Sequence, residues 1–305
     1  MIEIDLFPDE LLSGHIGRLA LWNTARQRVD FEFDLRRSLA ARGHRLAAGT
    51  GFVPLVALLA AKPIDEIILK HTLWPAQRAT DHEEGLAYFE CMFTTGSWRG
   101  VAYRLRAAHW LCTECITCDV ATHKHSYWHR GHQLPGQMRC ERHKIPLRHV
   151  HVERKPFLFE QPHEALERSK ETDGILRECA SENRYVQRAM TIHSSIVNGV
   201  FQAPRSSFRP AFLMQSELIG MGADSRGKFS RLESLVQERF PSEWIAHAMQ
   251  GNKAPGPATF AFIEDALNSG GRVLSPIAVA VIAAALFECV EDVIRAMSGA
   301  PHGST

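Results

Sequence analysis

Long apolar runs are scarce in this chain of 305 residues. The longest, Ile277 to Phe287, stops at Glu288, well short of the roughly 20 residues a bilayer-crossing helix needs, so no membrane association is expected. The opening Met1-Ile-Glu-Ile-Asp is acidic and has no basic stretch ahead of an apolar one, so it does not read as a secretory leader. Charge of one sign is missing too: 35 Lys and Arg stand against 34 Asp and Glu, a net +1. That total argues against a uniformly basic nucleic-acid coat and against an acidic tail protein. Common catalytic signatures are absent, with no glycine-rich phosphate loop, no His-Glu-x-x-His and no Gly-x-Ser-x-Gly. Ser13-Gly14-His15 near acidic residues reads as a helix surface rather than a triad. The expectation is a protein that is not an enzyme. Internal repeats and low-complexity segments are also lacking.

What is present is an ordinary globular composition, 45% hydrophobic and 23% charged, which excludes wholesale disorder. The fold class expected is mainly α: helical bundles with helix-turn-helix-like elements, plus an inserted zinc ribbon or knuckle with a short β-hairpin. Leu12, Ile16, Leu19 and Ala20 follow the spacing of one buried helix face, and Phe52, Leu55, Val56, Leu59 and Ala60 repeat it. Lys62-Pro63 then breaks the chain before Ile64, Ile67 and Ile68. Two short helices about a tight break suit a helix-turn-helix and equally any αα-hairpin. Further on, Ile175–Val197 reads as one long helix, Arg231–Arg239 as another, and Ala203–Arg209 and Gly251–Pro257 as breaks. A last, all-round apolar helix starts at Ser275-Pro276, an N-cap with proline behind it, and should be buried; His302–Thr305 reads as a frayed tail. The divisions expected are 1–98, helical; 99–155, a basic metal-binding module; and 156–305, helical.

Seven cysteines is an odd number, and four fall between Cys112 and Cys140. With no export signal, such clustering points to metal in a reducing cytoplasm rather than to a disulfide framework. Cys112-x-x-Cys115 and Cys140-x-x-His143 each put two ligands on one tight turn, and the 24 residues between them suffice for a hairpin joining the turns. Three thiolates and one imidazole complete a tetrahedral zinc shell with no open position, the pattern of a single structural site. Rival readings are weaker. Cys112, Cys115 and Cys118 begin like an iron–sulfur run, but the fourth cysteine and its proline are missing. A redox dithiol wants a helix start after a strand, for which Trp110-Leu111 is thin support. A zinc deaminase needs a His-x-Glu upstream and a proline before the first cysteine, and neither is there. Cys118, His123 and His125 remain as spares, one of which could replace a ligand or join a second site; His123 and His125 read more simply as solvated loop residues. Cys91, Cys179 and Cys289 read as small buried hydrophobes.

Charge is unevenly placed. Residues 99–155 hold eleven Lys and Arg against four Asp and Glu, a local +7, and half of the sixteen histidines, leaving −6 for the rest. Arg104, Arg106, Lys124, Arg130, Arg139, Arg142, Lys144 and Arg148 flank the metal turns, with Tyr127-Trp128 between them. Such a patch suits phosphate, and each contact steepens the salt dependence of binding. Read blandly, it is a solvated face over a minicore. The candidate nucleic-acid contacts are Lys124, Arg130, Arg139, Arg142 and Lys144.

These residues resemble the TniQ/TnsD family of transposition proteins. The resemblance rests on Pro8-Asp9-Glu10 followed by Ser13 to Arg18-Leu19-Ala20, then His71-Thr72-Leu73-Trp74-Pro75. It continues with Cys112-Thr113-Glu114-Cys115, with Tyr127 to Gln133-Leu134-Pro135-Gly136, and with Cys140-Glu141-Arg142-His143. It covers residues 8–150, about half of the chain; Thr113 stands where the family usually has proline, and the chain is shorter than many TnsD proteins. More weakly, Phe208-Arg209-Pro210 to Trp244 is similar to helical repeats of the longer TnsD-type members. The resemblance implies an adaptor for target selection with structural zinc and no bond chemistry of its own. Such an adaptor recognises target DNA, or docks on an RNA-guided effector complex, and recruits an AAA+ ATPase that brings the transposase. The Leu55–Thr72 helical pair is then the element expected to dock DNA or a partner. The alternative expectation is a zinc-containing DNA-binding transcription regulator. A cytoplasmic, nucleoid-associated location follows from either, and the oligomeric state stays open, a homodimer included.

Overall fold

The computed structural model describes residues 2–24, 28–47, 49–76, 106, 108–151, 158–200, 205–224, 229–249, 260–267 and 275–297. The chain is mainly helical and carries a small antiparallel sheet. It divides into two compact units. Among the described residues, the first takes in those up to 74, from 106 to 134 and from 139 to 172, and the second 75–76, 135–138 and those from 173 onward.

In the first unit, α1 (Leu12–Trp22), α2 (Arg28–Ala41), α3 (Phe52–Leu59) and α4 (Ile64–His71) share one apolar core. The expected face of α1 is buried at Leu12, Ile16, Leu19 and Ala20. In α2, Phe31, Leu35 and Leu39 recur every fourth residue and are fully buried, each stabilising the fold by about 1.5–3 kcal/mol. The break at Lys62-Pro63 falls where expected, and Ala61 makes the turn in the left-handed region at φ 50°. One expectation fails: Ser13 and His15 are buried rather than on a helix surface, because α1 is covered on more than its apolar stripe. Gly17 shows how closely. A Cβ there would lie 2.1 Å from the Leu158 carbonyl oxygen, and the Leu158 amide donates to Ser13 O at 3.0 Å.

The sheet has the order β1 (His109–Leu111), β2 (Arg148–Val150), β3 (Lys170–Glu171), antiparallel throughout. Trp110 pairs with His149, and His149 with Lys170. β1 is an edge strand whose outer backbone groups need partners. The Gln133 side-chain amide supplies them, donating to Trp110 O at 2.7 Å and accepting from Trp110 N at 3.0 Å. The residues between Cys115 and Cys140 differ from the expected hairpin. They continue as α5 (Thr113–His123) and a 3-10 turn at Gly131–Gln133, and the sheet instead joins the segments outside the two cysteine pairs. A short helix, α6 (Pro162–Ala165), follows.

The second unit is built on helices α7 (Gly174–Glu182), α8 (Arg184–Val197), α9 (Arg205–Leu218), α10 (Ser230–Arg239), α11 (Ser242–Met249), α12 (Ala261–Leu267), α13 (Pro276–Leu286) and α14 (Val290–Met297). The single helix expected over Ile175–Val197 is split at Asn183, whose Oδ1 accepts from the amides of Tyr185 and Val186 and so starts α8 anew. Of the linker expected at Ala203–Arg209, the described residues, 205–209, are helical instead. α9 runs across Pro210, carried by buried Phe208, Ala211 and Phe212, whose packing offsets the proline. The break expected at Gly251–Pro257 and the tail lie outside the described residues.

Helix α13 is buried along its whole length, as its composition requires. Ser275 Oγ accepts from Ala278 N at its start. Its last carbonyls have no partner within the helix and are met by long side chains. Arg188 donates to Ala284 O and Phe287 O, Arg239 to Ala285 O, and Gln215 to Leu286 O. Two guanidinium groups at a helix C-terminus also complement its dipole. Helices α8, α9, α10, α11 and α12 all pack against it. Among the described residues, no helix is long and apolar enough to cross a membrane.

Candidate metal centre

The strand β1 feeds Cys112 directly into the N-cap of α5, and Cys115 follows in the first turn. The strand-then-helix setting that looked thin in the sequence is therefore present. The Cys115 amide donates to Cys112 Sγ at 3.5 Å, and the helix N-terminus favours negative sulfur there. The second pair sits on a tight turn in which His143 N donates to Cys140 Sγ at 3.4 Å, Lys144 N to Cys140 O and Cys140 N to Ile145 O.

The two turns bring Cys112, Cys115, Cys140 and His143 together, with one ligand atom from each within 4.8 Å of all the others. Cys115 Sγ lies 3.6 Å from Cys140 Sγ and 3.3 Å from His143 Nδ1. The same nitrogen is 3.5 Å from Cys112 Sγ and 3.6 Å from Cys140 Sγ. A tetrahedral ion with ligand bonds of about 2.0–2.3 Å holds its donor atoms about 3.5–3.8 Å apart. The four residues thus fit one tetrahedral ion, consistent with zinc, and leave it no open position. All three cysteines are buried.

Charge supports the same reading. With three sulfurs in one buried place, only the first proton leaves easily. Hydrogen bonds from Cys112 and Cys115 push the Cys140 thiol far down, whereas the Cys112 and Cys140 sulfurs and burial push Cys115 far up. At Cys112 a hydrogen bond from Cys115 lowers the thiol, but the Cys140 sulfur and burial outweigh it and hold it at about 11. Only a bound cation lets all three ionise together.

Around the cluster stand groups that spacing does not reveal. His132, buried by its neighbours and held neutral mainly by that burial, places Nε2 3.8 Å from Cys115 Sγ. Cys118 is not a fourth sulfur ligand; it lies one turn along α5, 3.9 Å from His143 Nε2, the nitrogen facing away from the cluster. Such outer partners orient ligands and set which imidazole nitrogen is free to bind. His123 stacks on Phe7 at 4.1 Å, and His125 lies 3.3 Å from Arg18, so both belong to the packing of α1 and the N-terminal segment. Of the other cysteines, Cys179 is buried as expected, Cys289 is partly exposed rather than buried, and Cys91 lies outside the described residues.

The basic residues divide sharply. Seven of the eleven in 99–155 are described. Arg106 is buried over the Trp110 ring at 3.6 Å and donates to His132 O and Leu134 O. Arg130, expected on the surface, is instead buried, bound to the Asp9 carboxylate at 3.0 Å and to Leu69 O. Arg148 holds Ser169 and Glu171. Arg139, half-exposed, donates through Nε to Lys144 O at 3.1 Å. Lys124, Arg142 and Lys144 are exposed.

The class defined by these observations is a helical protein with a four-ligand cysteine–histidine centre. Neither a protein-family model nor a curated protein matches the sequence.

Proposed function

We propose that this protein is a zinc-containing adaptor for transposition target selection, of the TniQ/TnsD kind. In this reading it recognises target DNA or a target-bound effector complex and recruits an AAA+ ATPase and, through it, the transposase. The observation that carries the reading is the meeting of the resembling motifs in space. Glu10 is fully buried and paired with Arg18 at 2.8 Å; His71 Nδ1 lies 2.9 Å from Glu10 O; Asp9 holds Arg130 and the Gly131 amide; and Leu11 N donates to Trp128 O. Segment 8–18, His71 and segment 128–131 are therefore joined by hydrogen bonds and ion pairs, which is what a shared family scaffold requires.

Within it the division of labour is between surfaces. Zinc, when bound, supplies a fixed cross-link between the start of α5 and the knuckle at Cys140–His143, and no chemistry beyond that. The knuckle side, with Arg142 and Lys144, faces nucleic acid. The α3–α4 pair faces a protein: the exposed side of α4 carries Asp65, Glu66 and Lys70, with Glu66 bound to Lys62 and Lys70, a balanced set that suits a partner better than a polyanion. No bond is made or broken by this chain.

Co-purification with the products of neighbouring genes, with and without DNA, tests the proposal. Retention of an AAA+ ATPase by the zinc-loaded protein is the expected result. DNA binding with no ATPase retained would favour the transcription regulator instead.

A further inference from the structure

Lys144 occupies the left-handed backbone region at φ 55°, where a β-carbon crowds the backbone and glycine is the cheap choice. The conformation is braced from several sides. Lys144 N donates to Cys140 O and Cys140 N to Ile145 O, both at 2.9 Å; Arg139 Nε donates to Lys144 O; and Arg139 bridges to Pro146. The turn thus needs a left-handed residue, yet nothing in the turn uses the lysine side chain. Its ammonium is exposed and has no partner among the described residues. Lys124 makes the comparison. It is also left-handed, at φ 67°, but it closes α5, and its Nζ reaches Ala121 O at 3.4 Å, so a helix C-terminus accounts for it. Arg142, two residues before Lys144, is likewise exposed and unpartnered among the described residues. The backbone thus fixes where the two cations stand while leaving both side chains unengaged, so both are available to an anionic partner.

We infer that the left-handed turn closing the metal knuckle, with Arg142 and Lys144 on it, is the direct contact to the phosphate backbone of duplex DNA. This rests on the DNA-binding reading above and narrows the basic module to one turn. Glu141, exposed in the same turn, opposes the contact.

The test uses the full-length, zinc-loaded protein, a short DNA duplex and anisotropy titrations over a series of salt concentrations, with metal content and melting temperature recorded for each variant. Lys144→Gly should keep its zinc, melt at the same temperature or higher, bind DNA severalfold more weakly, and flatten the log–log salt slope by about 0.9 for the one lost contact. Arg142→Gln should do the same to binding, and Glu141→Gln should strengthen it. Unchanged affinity in Lys144→Gly overturns the inference while leaving DNA binding intact. A lower melting temperature in that variant overturns it as well, by assigning the side chain to the fold. Equal affinity of the unmodified protein for polyglutamate would show charge without phosphate recognition and also counts against it. No DNA binding even at low salt overturns this inference together with the reading on which it rests.

Discussion

Two buried ionisable side chains make opposite contributions at the residue scale. Burial alone would raise the Glu10 carboxyl, but hydrogen bonds and charge from His15 and Arg18 outweigh it and hold it at about 2, against 4.5 for a free side chain. Its stabilisation is complete above about pH 4.5 and is lost as pH falls toward 2. His193, on α8, is wholly buried with neither ring nitrogen bonded among the described residues, and burial holds it at about 3 rather than 6.5. The folded state thus keeps it neutral while the unfolded chain protonates, so stability falls as pH drops from about 6.5 toward 3. His193→Leu should stabilise by about 1–3 kcal/mol through loss of an unsatisfied polar group and should flatten the melting temperature over that window. Arg18→Met should instead cost about 3–5 kcal/mol by stranding the Glu10 charge. An unchanged melting temperature in either variant would contradict the packing described. His193 does not stand out in the sequence, and Arg18 does so only through the family resemblance, which does not show that it is spent on Glu10. The same limit hid the fate of Arg130, since which arginine is spent internally depends on a partner, Asp9, that lies 121 positions away.

At the scale of elements, what the sequence made legible was what short spacing controls. Cys-x-x-Cys and Cys-x-x-His are local turns, and four ligands identified from spacing meet in one cluster. The Ser275-Pro276 start of α13 was equally local. Where the outcome depended on distant packing, spacing misled: α5 stands in place of a hairpin, and α9 runs through Pro210. Metal analysis should return about one zinc per chain for a closed four-ligand shell. Cys140→Ser should lose it and melt well below the parent, whereas Cys118→Ala should keep one zinc but yield it to a chelator roughly 10–100-fold more readily, the range for an outer-shell partner. Iron with a visible absorption band would refute the zinc assignment, and an unaltered chelator response would refute the role of Cys118.

On the scale of the whole molecule, the sequence's neutral total conceals a basic module that the fold then thins. Of its described cations, Arg106, Arg130, Arg139 and Arg148 are used internally. The apolar core of α1–α4 and the metal ligands belong to the first unit, and the buried helix α13 belongs to the second. Chelation should therefore lower one thermal transition and leave a second in place; a single transition that moves as a whole would show the units to be energetically fused. Helix α13 gives the second unit its own character. Every residue from Pro276 to Leu286 is buried, an acceptor, Ser275 Oγ, closes the start, and side-chain donors close the end. Its amide protons have no fraying turn through which to reach solvent deuterium, so they exchange only when the surrounding helices part together. That helix is the slow clock of the second unit, and its protection measures the stability of the whole unit rather than its own.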